Sequence, residues 1–271
     1  MAENNNFIIH ELKDVPLSGW GAEYGAIEKV FFDAKTPTTF SSVGITICTG
    51  GDKSKIPMHY HNCETLHYVL YGNGMMNSSD GEEHIIATGD TIYCDEGENG
   101  AHNFINVDNF PLAVFWVHAY PSGTREGTTW VKNVKEFKKD KSINGKFQIK
   151  KLKDVSLSGW GAEYGAIEKV FFDAETPTKH SSMGITLCTS KDTSKIPMHY
   201  HNCETSHYIL YGNGIMQDTN GKENIIQAGD AIYCNSGKEG AHNFINTDRF
   251  PLAILWCHAY PEGTREDTVW L

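Results

Sequence analysis

The chain has no long apolar run. None of its stretches approaches the ~20 consecutive apolar residues that a membrane-spanning helix needs, so a helical membrane protein is excluded. The N-terminus, MAENNNFIIHEL, lacks a basic segment followed by an apolar one, so no secretory signal is expected. Cysteine is sparse and odd in number: Cys48, Cys63, Cys94, Cys188, Cys203, Cys234 and Cys257. Seven thiols without an export signal argue against a disulfide framework, and a cytoplasmic location fits better. Arginine is limited to Arg125, Arg249 and Arg265. Basic surface is also scarce. The formal charge is -11, and nine lysines fall within residues 132–153, leaving 14 basic against 32 acidic residues elsewhere. Such an acidic body repels phosphate backbones, so nucleic acid is not an expected partner.

What the chain does contain is one unit written twice. Residues 12–131 align without gaps to 152–271 at an offset of 140, with 86 identities in 120 positions. LKDVPLSGWGAEYGAIEKVFFDA returns as LKDVSLSGWGAEYGAIEKVFFDA, and IPMHYHNCET and GAHNFIN return unchanged. A period this long exceeds any solenoid repeat, so each copy is expected to fold around its own core. The expected division is domain 12–131, a Lys-rich linker 132–151 and domain 152–271. A short helix near 132–140 is compatible with the linker, which Asn144 and Gly145 then interrupt.

Each copy reads as β-structure. TTFSSVGITICTG, LHYVLYGNGMM, EEHIIATGDTIYC, AHNFINV and PLAVFWVHAYP are short segments rich in Val, Ile, Tyr, Phe and Thr, bounded by Gly, Asp, Asn and Ser. NSSDGEE carries hairpin chemistry. No long helical period is present, so the expected fold is an all-β sandwich or small barrel, with the two copies forming an intramolecular pseudo-dimer. A further homo-oligomer is left open.

His59 and His61 are one residue apart. Side chains on a strand alternate faces, so both imidazoles project to one side, ~7 Å apart at Cβ, and can converge on one metal ion. A third imidazole must come from another strand, and His102 in GDTIYCDEGENGAHNFIN is the candidate. The second copy offers His199, His201 and His242. Three neutral imidazoles suit Fe, Mn, Ni, Cu or Zn, and the expectation is one divalent transition metal per domain.

MHYHNCETLHYVLYGNG followed by GDTIYCDEGENGAHNFIN resembles the cupin superfamily, and the duplicated chain resembles a bicupin: two tandem double-stranded β-helix, or jelly-roll, barrels. The family's first motif runs HxH, three or four residues, Glu, six residues, Gly. Its second runs Gly, five residues, PxG, two residues, His, three residues, Asn. Gly89, His102 and Asn106 match the second motif, as do Gly229, His242 and Asn246. Asp95 and Asn235 replace its Pro, and two residues are inserted before the His.

The fourth ligand departs from the pattern. Counting back from Gly72 puts the family's Glu position at Thr65, with Glu64 one residue early. By alternation Thr65, His67, Val69 and Tyr71 share one face and Glu64, Leu66, Tyr68 and Leu70 the other. The copies differ at Leu66 and Ser206 but agree at His67 and His207, which suggests that His67 points inward. Three readings stay open: Glu64 and Glu204 bind metal after a register slip; His67 and His207 are fourth imidazoles; or three histidines and water complete each centre. Glu64, His67, Glu204 and His207 are also the candidates for proton transfer.

Other singled-out residues have plainer expectations. His10, His84 and His180 read as satisfied core or surface groups. His118 and His258 read as core or as hydrogen-bond partners of the site. Cys63 and Cys203 read as buried thiols beside the His pair, and Cys48 and Cys94 as core. Trp20, Glu23 and Tyr24 fit a lid or a strand-swapped edge. Lys29, Lys169, Arg125 and Arg265 read first as surface ion pairs and second as clamps for a carboxylate substrate.

The resemblance implies a metal-dependent enzyme acting on a small polar or carboxylate molecule, with dioxygenase or decarboxylase chemistry ahead of sugar isomerase or other non-redox lyase chemistry. A non-catalytic ligand-binding or sensing bicupin is the competing reading.

Overall fold

The computed structural model describes residues 7–33, 35, 38–50, 54–125, 127–137, 147–173, 178–190, 194–265 and 268–271. The chain is almost entirely antiparallel β-structure and divides into two compact units. Among the described residues no helix is long and apolar enough to cross a membrane. All seven cysteines are free and buried.

One unit draws on residues 16–33 and 41–154. Its six-stranded sheet runs Phe147–Lys150, Thr91–Cys94, Glu64–Tyr71, Leu112–Ala119, Ser41–Cys48, Ala26–Phe32. Its five-stranded sheet runs Thr129–Trp130, Lys55–Tyr60, His102–Asn106, Asn73–Asn77, Glu83–Ala87. The last two strands form the hairpin that NSSDGEE foreshadows. Cys48, Val69, Leu112 and Val114 from one sheet meet Ile56, Met76, Ile86 and Phe104 from the other in a single apolar cluster, so the sheets pack face to face as a jelly roll. The other unit repeats this plan, with Cys188, Ile209, Leu252 and Ile254 against Ile196, Met216, Ile226 and Phe244.

The units are not the contiguous halves that the repeat suggests. Phe7–His10, which precedes the first repeat, pairs antiparallel with Ala231–Cys234 and belongs to the unit built from residues 1–15, 34–40 and 155–271. Phe147–Lys150, inside the expected linker, pairs with Thr91–Cys94 of the first unit. Phe7 and Ile9 pack against one core, and Phe147 and Ile149 against the other. FIIH and FQIK share the same alternation, and each closes the edge of a six-stranded sheet that would otherwise expose unpaired backbone groups. The rest of the expected linker contains a single helical turn, Val134–Phe137, while residues 138–146, with Asn144 and Gly145, lie outside the described residues.

Glycine is required where the backbone or an aromatic ring comes close. A Cβ on Gly44 would lie 2.3 Å from the Trp116 ring, and one on Gly184 would lie 2.2 Å from the Trp256 ring. Gly100 and Gly240 leave no room for a Cβ against the carbonyls of Asp95 and Asn235. That tight turn sets the start of the strand carrying His102 or His242.

Candidate metal centre

In the first unit His59 sits directly opposite His102 across an antiparallel pair, after a bulge between Ile56 and His59. The ring centroids of His59 and His102 are 4.5 Å apart, those of His59 and His61 5.1 Å, and those of His61 and His102 5.8 Å. The second unit gives 4.5, 4.9 and 5.9 Å for the same three pairs among His199, His201 and His242. In each triad one nitrogen from every ring lies within 4.8 Å of the others. All six rings are buried.

Hydrogen bonds select the free nitrogen. The Nδ1–H groups of His59 and His199 donate to Pro57 O and Pro197 O at 2.8 Å, and those of His102 and His242 to Gly100 O and Gly240 O at 2.8 Å. A carbonyl only accepts, so each Nδ1 carries the proton and Nε2 keeps its lone pair. His102 Nε2 and His242 Nε2 are buried and have no hydrogen-bond partner. An orphaned lone pair in a dry interior costs free energy unless something binds it, and a divalent cation does so. Burial also keeps these rings neutral. It pulls His59 down to about 4, and it holds His61 and His102 well below the ordinary imidazole range, helped by repulsion from neighbouring rings. Neutral, pre-oriented imidazoles suit a transition metal.

Glu64 and Glu204 join neither triad. Tyr93 Oη donates to Glu64 Oε1 at 3.2 Å, and Tyr233 Oη to Glu204 Oε1 at 3.1 Å. Backbone amides of Thr39 and Phe40 also donate to the Glu204 carboxylate. Of the three readings left open, the one by register slip has no support in this geometry: Glu64 faces Tyr93, while His67 lines the cavity beside the triad. Leu66 and Ser206 share the Glu64 face and are nonetheless buried, so that face is not a solvent face. His67 lies 5.0 Å from His102, ring to ring, and His207 5.0 Å from His242.

The triads open on cavities of about 150 Å³ in the first unit and 370 Å³ in the second. Trp130 and Trp270 stand 5.3 and 5.0 Å from His59 and His199, and Trp20 and Trp160 stack on them at 6.1 and 5.7 Å. SGWGAEYG therefore supplies cavity wall, and the strand exchange lies elsewhere. His118 and His258 stand 4.2 and 4.4 Å from His61 and His201, ring to ring, and belong to neither triad. Trp116 and Trp256 stack on them through the space that Gly44 and Gly184 leave. Arg265 lines the second cavity, lies 5.0 Å over the Tyr260 ring and donates to the carbonyls of Ser181 and Thr178; Arg125 donates to Ser42 Oγ at 2.8 Å.

Glu28 and Glu168 line the two cavities and were not singled out by sequence. Ser18 and Ser158 hydroxyls donate to them at 2.9 Å. Burial raises Glu28 above the usual carboxylate range against the opposing pull of the Ser18 and Thr46 hydrogen bonds. Nothing local to IEKVFFD marks this glutamate, because the cavity is assembled from strands far apart in sequence.

The cupin domain profile matches residues 47–118 and 187–258. The chain belongs to the cupin family. No curated protein sequence matches it. Among solved structures, the cupin chain resembles the formate complex of Lactobacillus farciminis oxalate decarboxylase, with a TM-score of 0.72, 14% identity, and coverage of 97% of this chain and 88% of that one. It also resembles a Trp-to-Tyr variant of Bacillus subtilis oxalate decarboxylase, with a TM-score of 0.67, 16% identity, and coverage of 97% and 79%. A further structure of the Bacillus subtilis enzyme, described by its Mn(II) centres, has a TM-score of 0.66 and 16% identity over the same shares. At these identities the likeness is one of fold: a tandem, two-barrel cupin.

Proposed function

We propose that this bicupin is a metal-dependent decarboxylase of a small carboxylate, with His59, His61 and His102 holding one divalent metal and His199, His201 and His242 a second. The supporting observation is the pair of orphaned, buried Nε2 lone pairs on His102 and His242, each in a triad where the Nδ1 protons of the two strand-paired rings are already committed to carbonyls. Manganese is the favoured ion because the fold neighbour from Bacillus subtilis is described with Mn(II) centres. When bound, the ion supplies Lewis-acid attraction for a substrate carboxylate oxygen.

The chain's own residues do the rest. Indole walls at Trp20 in the first cavity and at Trp160 and Trp270 in the second narrow the space beside the imidazoles. Loss of CO2 leaves an electron pair on the substrate carbon that must take up a proton. Glu28 and Glu168 line the same cavities as the triads, and the raised affinity of Glu28 for its proton suits it to deliver one. Glu64 and Glu204, tied up by tyrosine hydroxyls, are left with a structural role. His67 and His207 remain within the cavity wall as lesser candidates for proton transfer.

Incubation of Mn2+-loaded protein with oxalate and other small carboxylates tests the reading. CO2 release without oxygen consumption, lost on metal removal, is expected. Stoichiometric oxygen uptake moves the chemistry to a dioxygenase, and turnover that survives metal removal contradicts the proposal.

A further inference from the structure

A second group of donors lies beside each triad. His67, Cys94 and His102 each place one ligand atom within 4.8 Å of the others, and His207, Cys234 and His242 do the same. Cys94 reads as plain core in the sequence, in the apolar strand TIYC. The fold puts it opposite Thr65, two residue pairs from His67 and so on the same face, which looks into the jelly roll. His67, Cys94 and His102 are all buried, at 3, 1 and 1% exposure. His67 Nδ1 and His102 Nε2 have no hydrogen-bond partner, and Cys234 Sγ stands 4.0 Å from His207 Nδ1. In the first unit two unsatisfied imidazole nitrogens converge with a sulfur, and in the second the sulfur already pairs with His207 Nδ1 while His242 Nε2 stays unsatisfied; such buried polar groups are unusual in a core that could be filled with apolar side chains.

We propose that His67, Cys94 and His102, and likewise His207, Cys234 and His242, form a mixed nitrogen–sulfur site for a thiophilic cation, mutually exclusive with the three-imidazole site because both need the same histidine nitrogen. His102 Nδ1 is committed to Gly100 O, so only Nε2 is left to share. Hard or borderline ions, satisfied by nitrogen and oxygen, select the His59, His61, His102 set. Soft ions such as Cd2+ or Cu(I) select the set containing sulfur. Binding exchanges one S–H bond for one S–metal bond and releases one proton to solvent, with no change in oxidation state. The consequence is a route of inhibition: a soft ion captured by Cys94 removes His102 from the working triad.

This inference adds a site to the one proposed above, and its test does not depend on turnover. Metal-free full-length protein is titrated with Cd2+ and the ultraviolet thiolate-to-cadmium charge-transfer absorption is recorded. Wild-type protein is expected to develop the band, saturating at two equivalents per chain. The double variant Cys94→Ser, Cys234→Ser is expected to lose it, and His59→Ala, His199→Ala to keep it while losing Mn2+. Mn2+ already bound is expected to leave as Cd2+ enters, one for one. A band that persists without Cys94 and Cys234, or Mn2+ and Cd2+ bound together at full occupancy, overturns the proposal. Cadmium NMR of the wild-type protein reads the same point without any substitution: a resonance shifted by sulfur ligation is expected, and one confined to the nitrogen and oxygen range contradicts it.

Discussion

His59 and His102 face each other in register across two antiparallel strands, with ring centroids 4.5 Å apart and both Nδ1 protons given to carbonyls two residues back. His199 and His242 repeat that relationship at 4.5 Å. Backbone hydrogen bonds thus fix the orientation of the rings before any ion arrives, which lowers the ordering cost of binding.

The turn ahead of His102 has a direct consequence. Gly100 packs against the backbone of Asp95 with no room for a methyl group, so Gly100→Ala forces the turn to move. Destabilisation of roughly 1–3 kcal/mol is expected, as for other overpacked sites. Metal affinity should weaken in the first unit and stay unchanged in the second, as read by calorimetric titration of the variant.

Acid should unfold the metal-free protein early. His59 falls to about 4 in the folded state through burial, against roughly 6.5 unfolded. Between those values the unfolded chain binds more protons than the native one, so stability rises with pH and is lost as pH drops through this window. His61, His67 and His102 act in the same direction. The slope reaches at most about 1.4 kcal/mol per pH unit for each ring that stays neutral. Urea midpoints measured from pH 7 to pH 4 check this; a flat profile would show that the rings are not buried neutral.

The exchanged strands should be structural. Phe7→Ala and Ile9→Ala remove half-buried side chains from the core of the unit formed mainly by residues 155–271. A loss of roughly 1–2 kcal/mol each is expected, below the range for fully buried positions. Denaturant titration combined with hydrogen exchange should locate the loss in Ala231–Cys234 and its neighbours, leaving Thr91–Cys94 protected.

For the proposed reaction, Glu28→Gln together with Glu168→Gln should lower turnover by about 10²–10⁴ while metal content stays the same, because a lost proton donor affects the chemical step and not the ligands. Glu64→Gln is expected to act through stability instead, since its carboxylate accepts from Tyr93. The reverse pattern would return Glu64 to the reaction.

Much of this was legible in the sequence. The offset of 140, the HxH pair and the later histidine lead to two β-shells with three convergent imidazoles in each, because strand alternation is a short-range rule. Strand alternation also turns His67 inward. What stayed hidden depends on long-range pairing. FIIH and FQIK share only Phe and Ile, so the exchanged strands fell outside the repeat and inside the supposed linker. Cys94 looked like core because an apolar strand gives no sign of what faces it across the barrel. Glu28 reaches the cavity, and Trp130 reaches His59, from strands remote in sequence. Glu64 entered as a candidate because it is the carboxylate one residue from the family's position at Thr65, and strand alternation leaves it with Tyr93.

Elemental analysis of untagged protein is the most direct measurement of the two-centre account. Two equivalents of one transition metal per chain are expected, falling to one in His59→Ala, His61→Ala and to one in His199→Ala, His201→Ala. Metal content unchanged by either double substitution, or no stoichiometric metal after full reconstitution, would contradict it.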